Sequence, residues 1–306
     1  MYLWKKLFSK CWLNLPLVGL LLAGCASAPS PVSPINASVG PAVAAKSLPK
    51  IGLALGGGAA RGFAHVGVIQ VLEEAGIMPD LVVGTSAGSL VAAIYASGKS
   101  GSQLQQIAED MEEATLTDWT LPIFSRGVLR GEALARYVNK LVAGRLIEAM
   151  VIPLGIVATD LNSGEGILFR RGDTGSAVRA SSAVPSVFQP VKIGGREYVD
   201  GGLVAPVPVR YARQMGAELV IAVDISNGPE SNTADGALQV VLQTFSIMGK
   251  SISAYELRDA DVVVRPTLAG VRSSDFAARR RSIEAGRAAM LAALPLLKVK
   301  RASLMQ

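Results

Sequence analysis

The sequence is poor in histidine, cysteine and aromatic residues. Its 306 residues include one histidine, His65, two cysteines, Cys11 and Cys25, and an aromatic fraction of only 5%. Half of the residues are hydrophobic, which is enough to bury the core of one full domain or of two small ones. The net charge of +6 falls to +3 without the three lysines of the first 24 residues. So small an excess of positive charge does not indicate a nucleic-acid-binding surface, and we expect no nucleic-acid partner.

The first 24 residues have the pattern of a secretory signal. A basic start precedes an apolar stretch, Trp12–Ala23, which is short for a membrane span because a span needs about 20 apolar residues. The stretch ends in Leu22-Ala23-Gly24-Cys25, which resembles the lipobox of bacterial lipoproteins. That resemblance implies cleavage before Cys25, a diacylglyceryl group on its thiol and an acyl chain such as palmitate on its amino group. An ordinary signal with a chance cysteine is the alternative.

A lipidated Cys25 would tether the mature chain to a membrane. Cys11 would leave with the signal, so the domain would fold without a free thiol or a disulfide. Residues 25–49 are rich in Ala, Ser and Pro and lack periodicity, which predicts a flexible tether before a domain at 50–306. By analogy with lipoproteins of Gram-negative bacteria, Ala26 in place of a retention aspartate predicts an outer-membrane anchor facing the periplasm.

Apolar strand patterns alternate with helical patterns from residue 51 onward. We predict strands at 51–55, 81–84, 154–158, 167–170, near 191 and 198, at 219–225 and at 261–265. We predict helices at about 61–75, 87–97, 101–114, 131–143, 173–183, 206–215, 235–258 and 274–292. This alternation favours one α/β domain with a mostly parallel central sheet.

One of these strands runs into Gly84-Thr85-Ser86-Ala87-Gly88, the spacing of a nucleophile elbow. In an elbow the serine sits on a sharp turn between strand and helix, and the glycines allow the two segments to pass closely. The usual hydrolase order of serine, acid and histidine is unavailable because His65 precedes Ser86. Either Ser86 is not catalytic, and the motif is a small-residue packing turn, or it is activated without histidine.

A glycine cluster, Gly56-Gly57-Gly58-Ala59-Ala60-Arg61-Gly62, lies between the first strand and the first helix. Backbone N–H groups at such a position attract negative charge. A dinucleotide-binding loop is the alternative, but neither register of its G-x-G-x-x-G pattern fits: one places Arg61 at the last glycine and the other lacks the second glycine.

A serine without histidine needs another base, and Val199-Asp200-Gly201-Gly202 offers one. A carboxylate within hydrogen-bond reach of the serine can accept its proton. Gly201 and Gly202 would let the chain pass close to the elbow. Asp-Gly is also a common turn, so this motif gains weight only together with the other two.

Taken together, these three motifs resemble the patatin-like phospholipase family. Ala158-Thr159-Asp160-Leu161, the stretch 180–185 and the stretch 204–208 are similar to the family as well, and the similarity runs from about 51 to 225. The resemblance implies a three-layer α/β/α fold and a Ser–Asp dyad that hydrolyses acyl esters of lipids or phospholipids.

Residue by residue, the resemblance makes Ser86 the nucleophile and Asp200 the base. It implies that Gly56, Gly57 and Gly58 supply the N–H groups of an oxyanion hole. The supporting loop residues are Arg61, Gly62, Gly84, Gly88, Gly201 and Gly202. Arg61 either steers a phosphate or holds the glycine loop in shape, and the many donors of its guanidinium favour the second role. We expect no cofactor and no metal.

Several other residues have simpler interpretations. We expect His65 to be structural and replaceable with activity retained, since a working base must reach the nucleophile. Asp160 precedes Asn162-Ser163-Gly164 and reads as a turn residue. Arg279-Arg280-Arg281 forms either a solvated helix face or a contact to anionic lipid. Four residues form either an apolar lid or buried core: Trp119, Leu121, Ile123 and Phe124.

Two function classes therefore stand against each other. The first is a membrane-anchored serine acyl hydrolase, and the second is a catalytically silent, membrane-tethered binding protein with the same fold. The intact serine, aspartate and glycine loop favour the enzyme. Neither the lipid cleaved nor the oligomeric state follows from the sequence.

Overall fold

The structure is a computed structural model that describes residues 48–112, 118, 127–226, 236–272 and 274–305. Lys46–Gln306 forms one compact unit. The predicted signal, Cys25 and nearly all of the tether lie outside the described residues, as do the four residues of the predicted lid. Among the described residues, no helix combines the length and apolarity that crossing a bilayer demands.

The strands are β1 Ile51–Leu55, β2 Leu81–Thr85, β3 Gly127–Leu129, β4 Leu154–Asp160, β5 Gly166–Phe169, β6 Ser186–Phe188, β7 Val191–Ile193, β8 Arg196–Asp200, β9 Leu219–Val223 and β10 Val262–Val264. The helices are α1 Ala64–Glu74, α2 Ala87–Ala96, α3 Gly101–Asp110, α4 Glu132–Leu141, α5 Thr174–Ser181, α6 Val209–Gln214, α7 Ala237–Glu256 and α8 Arg279–Met305. Short 3-10 turns at Ala59–Phe63 and Gly201–Leu203 follow β1 and β8.

The main sheet has the order β10-β9-β1-β2-β4-β8-β7, with β5 added along β4. The five strands from β10 to β4 pair in parallel, whereas β5, β7 and β8 pair antiparallel. β3 and β6 form a separate small sheet. The prediction of a mostly parallel central sheet is confirmed.

Helices cover both faces of the sheet. Alternate residues of β1 point to opposite sides: Leu53 and Leu55 join a core with α1, α2 and α8, and Ala54 joins a second core with α6. Such alternation is what a strand covered on both faces requires. The predicted three-layer α/β/α fold is therefore confirmed, and its thicker helical layer contains the close α1–α8 pair.

Strand β4 positions the site because it pairs with both β2 and β8. β2 pairs with β4 up to Thr85 opposite Val157, and β8 pairs with β4 from Asp200 opposite Ala158. β5 pairs with residues 156–159 of β4, some of which also pair with β2 and others with β8. A strand has only two edges, so β5 must lie on the edge of β4 opposite to both. Hence β2 and β8 lie on one edge, and their C-terminal ends meet at residues 157 and 158. We call this point the β2–β8 junction.

The strands β3 and β6 were not predicted, and α3 ends at Asp110 rather than near 114. Two further helices also differ in their bounds from the sequence-based prediction. The basic helix was expected to end near 292, but α8 continues through Pro295 because Met290 and Leu297, one heptad apart, are both fully buried. Their packing outweighs the cost of an internal proline. The helix predicted from 206 begins at Val209, after Pro208, and Pro206 lies before it.

Candidate active site

Ser86 stands between the end of β2 and the start of α2 with φ 52° and ψ −125°. A positive φ is strained for a residue with a side chain, and such strain is characteristic of nucleophile elbows. The neighbouring glycines are required by close packing. A Cβ at Gly88 would collide with the carbonyl of Leu55, and one at Gly84 would collide with the carbonyl of Gly88.

The strained backbone of Ser86 is held by Ser181, the last residue of α5. The Ser86 N–H donates to Ser181 Oγ at 2.8 Å, and that hydroxyl donates to the Val157 carbonyl at 2.5 Å. Ser89 Oγ donates to the Ser86 carbonyl at 2.6 Å. Sequence reasoning gave Ser181 no role, although it lies in one of the family-like stretches. Only the contact between α5 and the elbow reveals it as a positioning residue.

Asp200 ends β8 at the β2–β8 junction, and its carboxylate lies within interaction range of the Ser86 hydroxyl. Its Oδ1 also accepts the Gly202 N–H at 2.6 Å, and its carbonyl accepts the Thr159 hydroxyl at 2.8 Å. The residue is 7% exposed. Burial raises the pKa of its carboxyl to about 6, against the opposing effects of Gly202 and Ser86. The structure thus brings the predicted nucleophile and base together.

The glycine loop lies against the nucleophile, since a Cβ built on Gly57 would stand 3.1 Å from the Cβ of Ser86. The expectation that Gly56, Gly57 and Gly58 all donate to an oxyanion is corrected by the hydrogen bonds. The Gly56 N–H donates to the Val223 carbonyl at 3.0 Å, and the Gly57 N–H donates to the Pro206 carbonyl at 2.9 Å. Those two donors are already occupied, because β9 and residue 206 flank the loop.

Among the N–H groups for which the described part of the chain supplies no acceptor are those of Gly58 and Ala59, which follow the two occupied donors directly. Ala59 has φ 50°, a conformation that favours glycine. Arg61 holds this turn: both its backbone N–H and its Nε–H donate to the Gly58 carbonyl, each at 3.2 Å. These bonds favour the loop-holding role of Arg61.

Comparison with known proteins agrees with the resemblance. A family model described as patatin-like phospholipase matches residues 53–213, more than half of the chain. The chain belongs to this family. It is 37% identical over 214 residues to an uncharacterized NTE family protein of Mycobacterium tuberculosis, over 69% of this chain and 59% of that protein. It is 35% identical over 190 residues to patatin-like phospholipase domain-containing protein 6 of Homo sapiens, over 60% of this chain and 14% of that protein.

The chain thus spans about three fifths of the mycobacterial relative and a small part of the human one. Among solved structures, VipD from Legionella pneumophila superposes with a TM-score of 0.56 at 16% identity, covering 81% of this chain and 67% of that one. At this identity the similarity concerns the fold alone, and it agrees with the patatin-like three-layer arrangement.

In this member of the family, His65 is fully buried in α1 and lies on the glycine loop. Its Nε2 is 2.8 Å from the Gly56 carbonyl, so Nε2 must carry the proton. Burial lowers the pKa of the His65 ring to about 4, against the raising effects of Gly56 and Asp224. The ring is therefore neutral near pH 7, and Nδ1 is buried without a partner. His65 supports the loop.

The other polar residues discussed in the sequence analysis make contacts of their own. Asp160 Oδ1 accepts the N–H groups of Asn162 and Ser163, at 2.9 and 3.1 Å, which is the predicted turn. Arg279 donates to the carbonyls of Ala108 and Glu109. The next two arginines have exposed side chains near carboxylates, Arg280 with Glu109 and Arg281 with Asp275. In the described ranges, no group of acidic, histidine and cysteine side chains is arranged as a metal site.

Proposed function

We propose that this protein is a serine acyl hydrolase that cleaves fatty-acyl esters of lipids, phospholipids included, through a Ser86–Asp200 dyad. The single observation that carries the proposal is the buried Asp200 carboxylate, which lies within interaction range of a serine on a strained strand-to-helix turn. A carboxylate with a pKa near 6 is ionised at neutral pH and is a stronger base than an ordinary aspartate.

The reaction begins when Ser86 Oγ attacks the acyl carbonyl carbon and its proton passes to Asp200. The tetrahedral intermediate then collapses: the ester C–O bond breaks, the leaving alcohol takes the proton from Asp200, and the acyl group remains on Ser86. Water, deprotonated by Asp200, attacks the acyl-enzyme in the second half. The fatty acid leaves as the proton returns to Ser86 Oγ.

The negative oxygen of each tetrahedral intermediate needs preorganised donors. The free N–H groups of Gly58 and Ala59 fit this role, since the loop lies against Ser86 and its conformation is fixed by Arg61. One such donor is worth about 3–4 kcal/mol of barrier. The N-terminal end of α2, which starts directly after Ser86, adds a favourable field.

Lipid esters are proposed as substrates on the strength of the family. The catalytic claim is tested by measuring fatty-acid release from a short-chain ester and from phospholipid vesicles with wild type, Ser86→Ala and Ser97→Ala. Ser97 follows the far end of the same helix and serves as the control. We expect Ser86→Ala to abolish release and Ser97→Ala to retain it. Full activity in Ser86→Ala would overturn the dyad, and an inactive wild type would favour the silent binding protein.

We further propose that Cys25 is lipidated and anchors the domain to a bacterial membrane, the outer membrane in a Gram-negative cell. The support is the signal-like start, the Leu22-Ala23-Gly24-Cys25 pattern and the tether. Metabolic labelling with palmitate in a bacterial host tests this. We expect label in wild type and in Cys11→Ser, and none in Cys25→Ser. Equal labelling of Cys25→Ser would contradict the anchor.

A further inference from the structure

Helix α7 exposes apolar side chains along most of its length. Of its twenty residues, all of which the structure describes, only Ser253 and Glu256 are buried. Large apolar side chains on it are between 37% and 67% exposed: Leu238, Val240, Val241, Ile247, Met248 and Tyr255. Scattered exposed apolar residues are common, but several of them along one helix indicate an interaction surface.

Five of these side chains share one face. Val240 and Ile247 are seven residues apart, as are Val241, Met248 and Tyr255, and a seven-residue step returns to nearly the same side of an α-helix. They span about 120° of the circumference, an arc that also contains Thr244 and Ser251. We call these five residues the α7 apolar face. The adjoining arc carries polar side chains, namely Gln239, Gln243, Ser246 and Lys250.

Three hydroxyl groups of α7 are hydrogen-bonded within the helix, which makes it less costly to place the helix where little water is present. The hydroxyls of Thr244, Ser246 and Ser251 donate to carbonyls four residues earlier, at 2.8, 3.0 and 3.5 Å. Hydroxyls bonded in this way cost less to remove from water. Between Ala237 and Tyr255 the one charged residue is Lys250, which is compatible with neutral or anionic headgroups.

The position of α7 connects this face to the catalytic site. The helix lies beside the turn Gly201–Leu203, which directly follows Asp200. A Cβ on Gly249 would reach Pro206 at 3.8 Å, and the Pro206 carbonyl accepts the N–H of Gly57 in the glycine loop. At its C-terminal end the helix is fixed by the Glu256–Arg210 ion pair of 3.2 Å.

We propose that the α7 apolar face docks on a lipid surface and brings the β2–β8 junction to its substrate. This inference rests on the proposed function, because the substrate of a lipid acyl hydrolase lies in such a surface. α7 would lie in the plane of the interface, with Tyr255 and the guanidinium of Arg258, 5.7 Å from its ring, at headgroup level. A second copy of the chain fits less well, since paired helices use opposite charges beside the apolar seam and α7 offers Lys250 alone.

The decisive experiment compares two adjacent positions of α7, one in the α7 apolar face and one in the adjoining polar arc. Ile247→Cys and Ser246→Cys are each labelled with an environment-sensitive fluorophore in full-length protein carrying Cys11→Ser, Cys25→Ser and Ser86→Ala. Vesicles of phosphatidylcholine, and of equimolar phosphatidylcholine and phosphatidylglycerol, are then added. We expect a blue shift and quenching by spin-labelled lipid at 247 and much less at 246, with similar results for both vesicles.

Equal responses at the two positions, or none at either, would overturn the proposal. A shift at 247 that follows protein concentration without vesicles would identify a second copy as the occupant and would also overturn it. Because these measurements need no turnover, they test docking even if the protein hydrolyses nothing.

The second arm measures hydrolysis with Ile247→Asp and the neighbouring control Ser246→Asp. We expect Ile247→Asp to lower hydrolysis of vesicle phospholipid about tenfold and to retain hydrolysis of a soluble short-chain ester. Ser246→Asp should keep both activities. Unchanged vesicle hydrolysis in Ile247→Asp would contradict the proposal, whereas loss of both activities in wild type would contradict the proposed function instead.

Discussion

The β2–β8 junction and helix α7 are built in opposite ways. At the junction hydrogen bonds fix the backbone of Ser86, through Ser181 and Ser89, and the carboxylate of Asp200, through the Gly202 N–H. In α7 six large apolar side chains are exposed, and the helix is held mainly through its C-terminal half. The core fixes the geometry of Ser86 and Asp200, whereas in our proposal the exposed helix α7 makes the contact with the lipid surface.

The largest expected effect comes from removing the charge at the junction while keeping its shape. Asp200→Asn retains an oxygen for the Gly202 N–H but cannot accept the proton of Ser86. We expect kcat/KM for a soluble ester to fall about 10³-fold. A carboxyl whose pKa is raised by burial costs stability once it ionises, so the variant should be more stable near pH 7 by about 3 kcal/mol.

Urea unfolding measures that second effect. Its sign follows from the pKa: the Asp200 contribution is most favourable below its ordinary value and is lost as pH rises through about 6. Wild type and variant should therefore converge in stability at acidic pH. An active Asp200→Asn would show that Asp200 is not the base, and a variant less stable at every pH would show that ionised Asp200 does not cost stability.

The pH profile gives the next effect. If ionised Asp200 is the base, kcat/KM for a soluble ester should fall about tenfold per pH unit below about 6. An ordinary aspartate would keep activity down to about pH 4. Stopped assays on a pH-insensitive substrate test this, with structure followed by circular dichroism. A flat profile through this range, in a protein that stays folded, would mean that Asp200 is not the base or is not desolvated.

Substitutions of His65 test whether activity depends on the hydrogen bond that supports the glycine loop. The expectation that it is dispensable should hold for His65→Gln, whose amide nitrogen can donate to the Gly56 carbonyl. His65→Leu leaves that buried carbonyl unpaired, and we expect kcat to fall about tenfold with KM unchanged. Equal activity of the two variants would show that the loop does not depend on this hydrogen bond. Inactive His65→Gln, if folded, would argue for a direct role of the ring.

Ala59 should give the smallest effect. Its positive φ costs about 1–2 kcal/mol for a residue with a side chain, so Ala59→Gly should gain up to about 1 kcal/mol after the added freedom of the unfolded chain is counted. The N–H is kept, so activity should stay. Ala60→Gly, at a neighbouring position without positive φ, should instead destabilise. Thermal unfolding of the pair tests this, and destabilisation by Ala59→Gly would contradict strain at that position.

The sequence predicted the elements of the site better than their connections. The elbow at Ser86 is local, since a strand, a tight turn and a helix are adjacent in the chain. The meeting of β2 and β8 on one edge of β4 depends on pairings between distant segments, and no local pattern encodes that register. The same limit explains Gly56 and Gly57: a glycine cluster indicates available N–H groups, but β9 and Pro206 decide which of them are used.

The central claim, that Ser86 is a nucleophile activated by Asp200, is tested most directly by labelling with a fluorophosphonate. Intact mass and peptide mapping report the adduct and its position in wild type, Asp200→Asn and His65→Gln. We predict one adduct, on Ser86, formed by wild type and His65→Gln and nearly absent from Asp200→Asn. An adduct on another residue, or labelling of Asp200→Asn at the wild-type rate, would contradict the account.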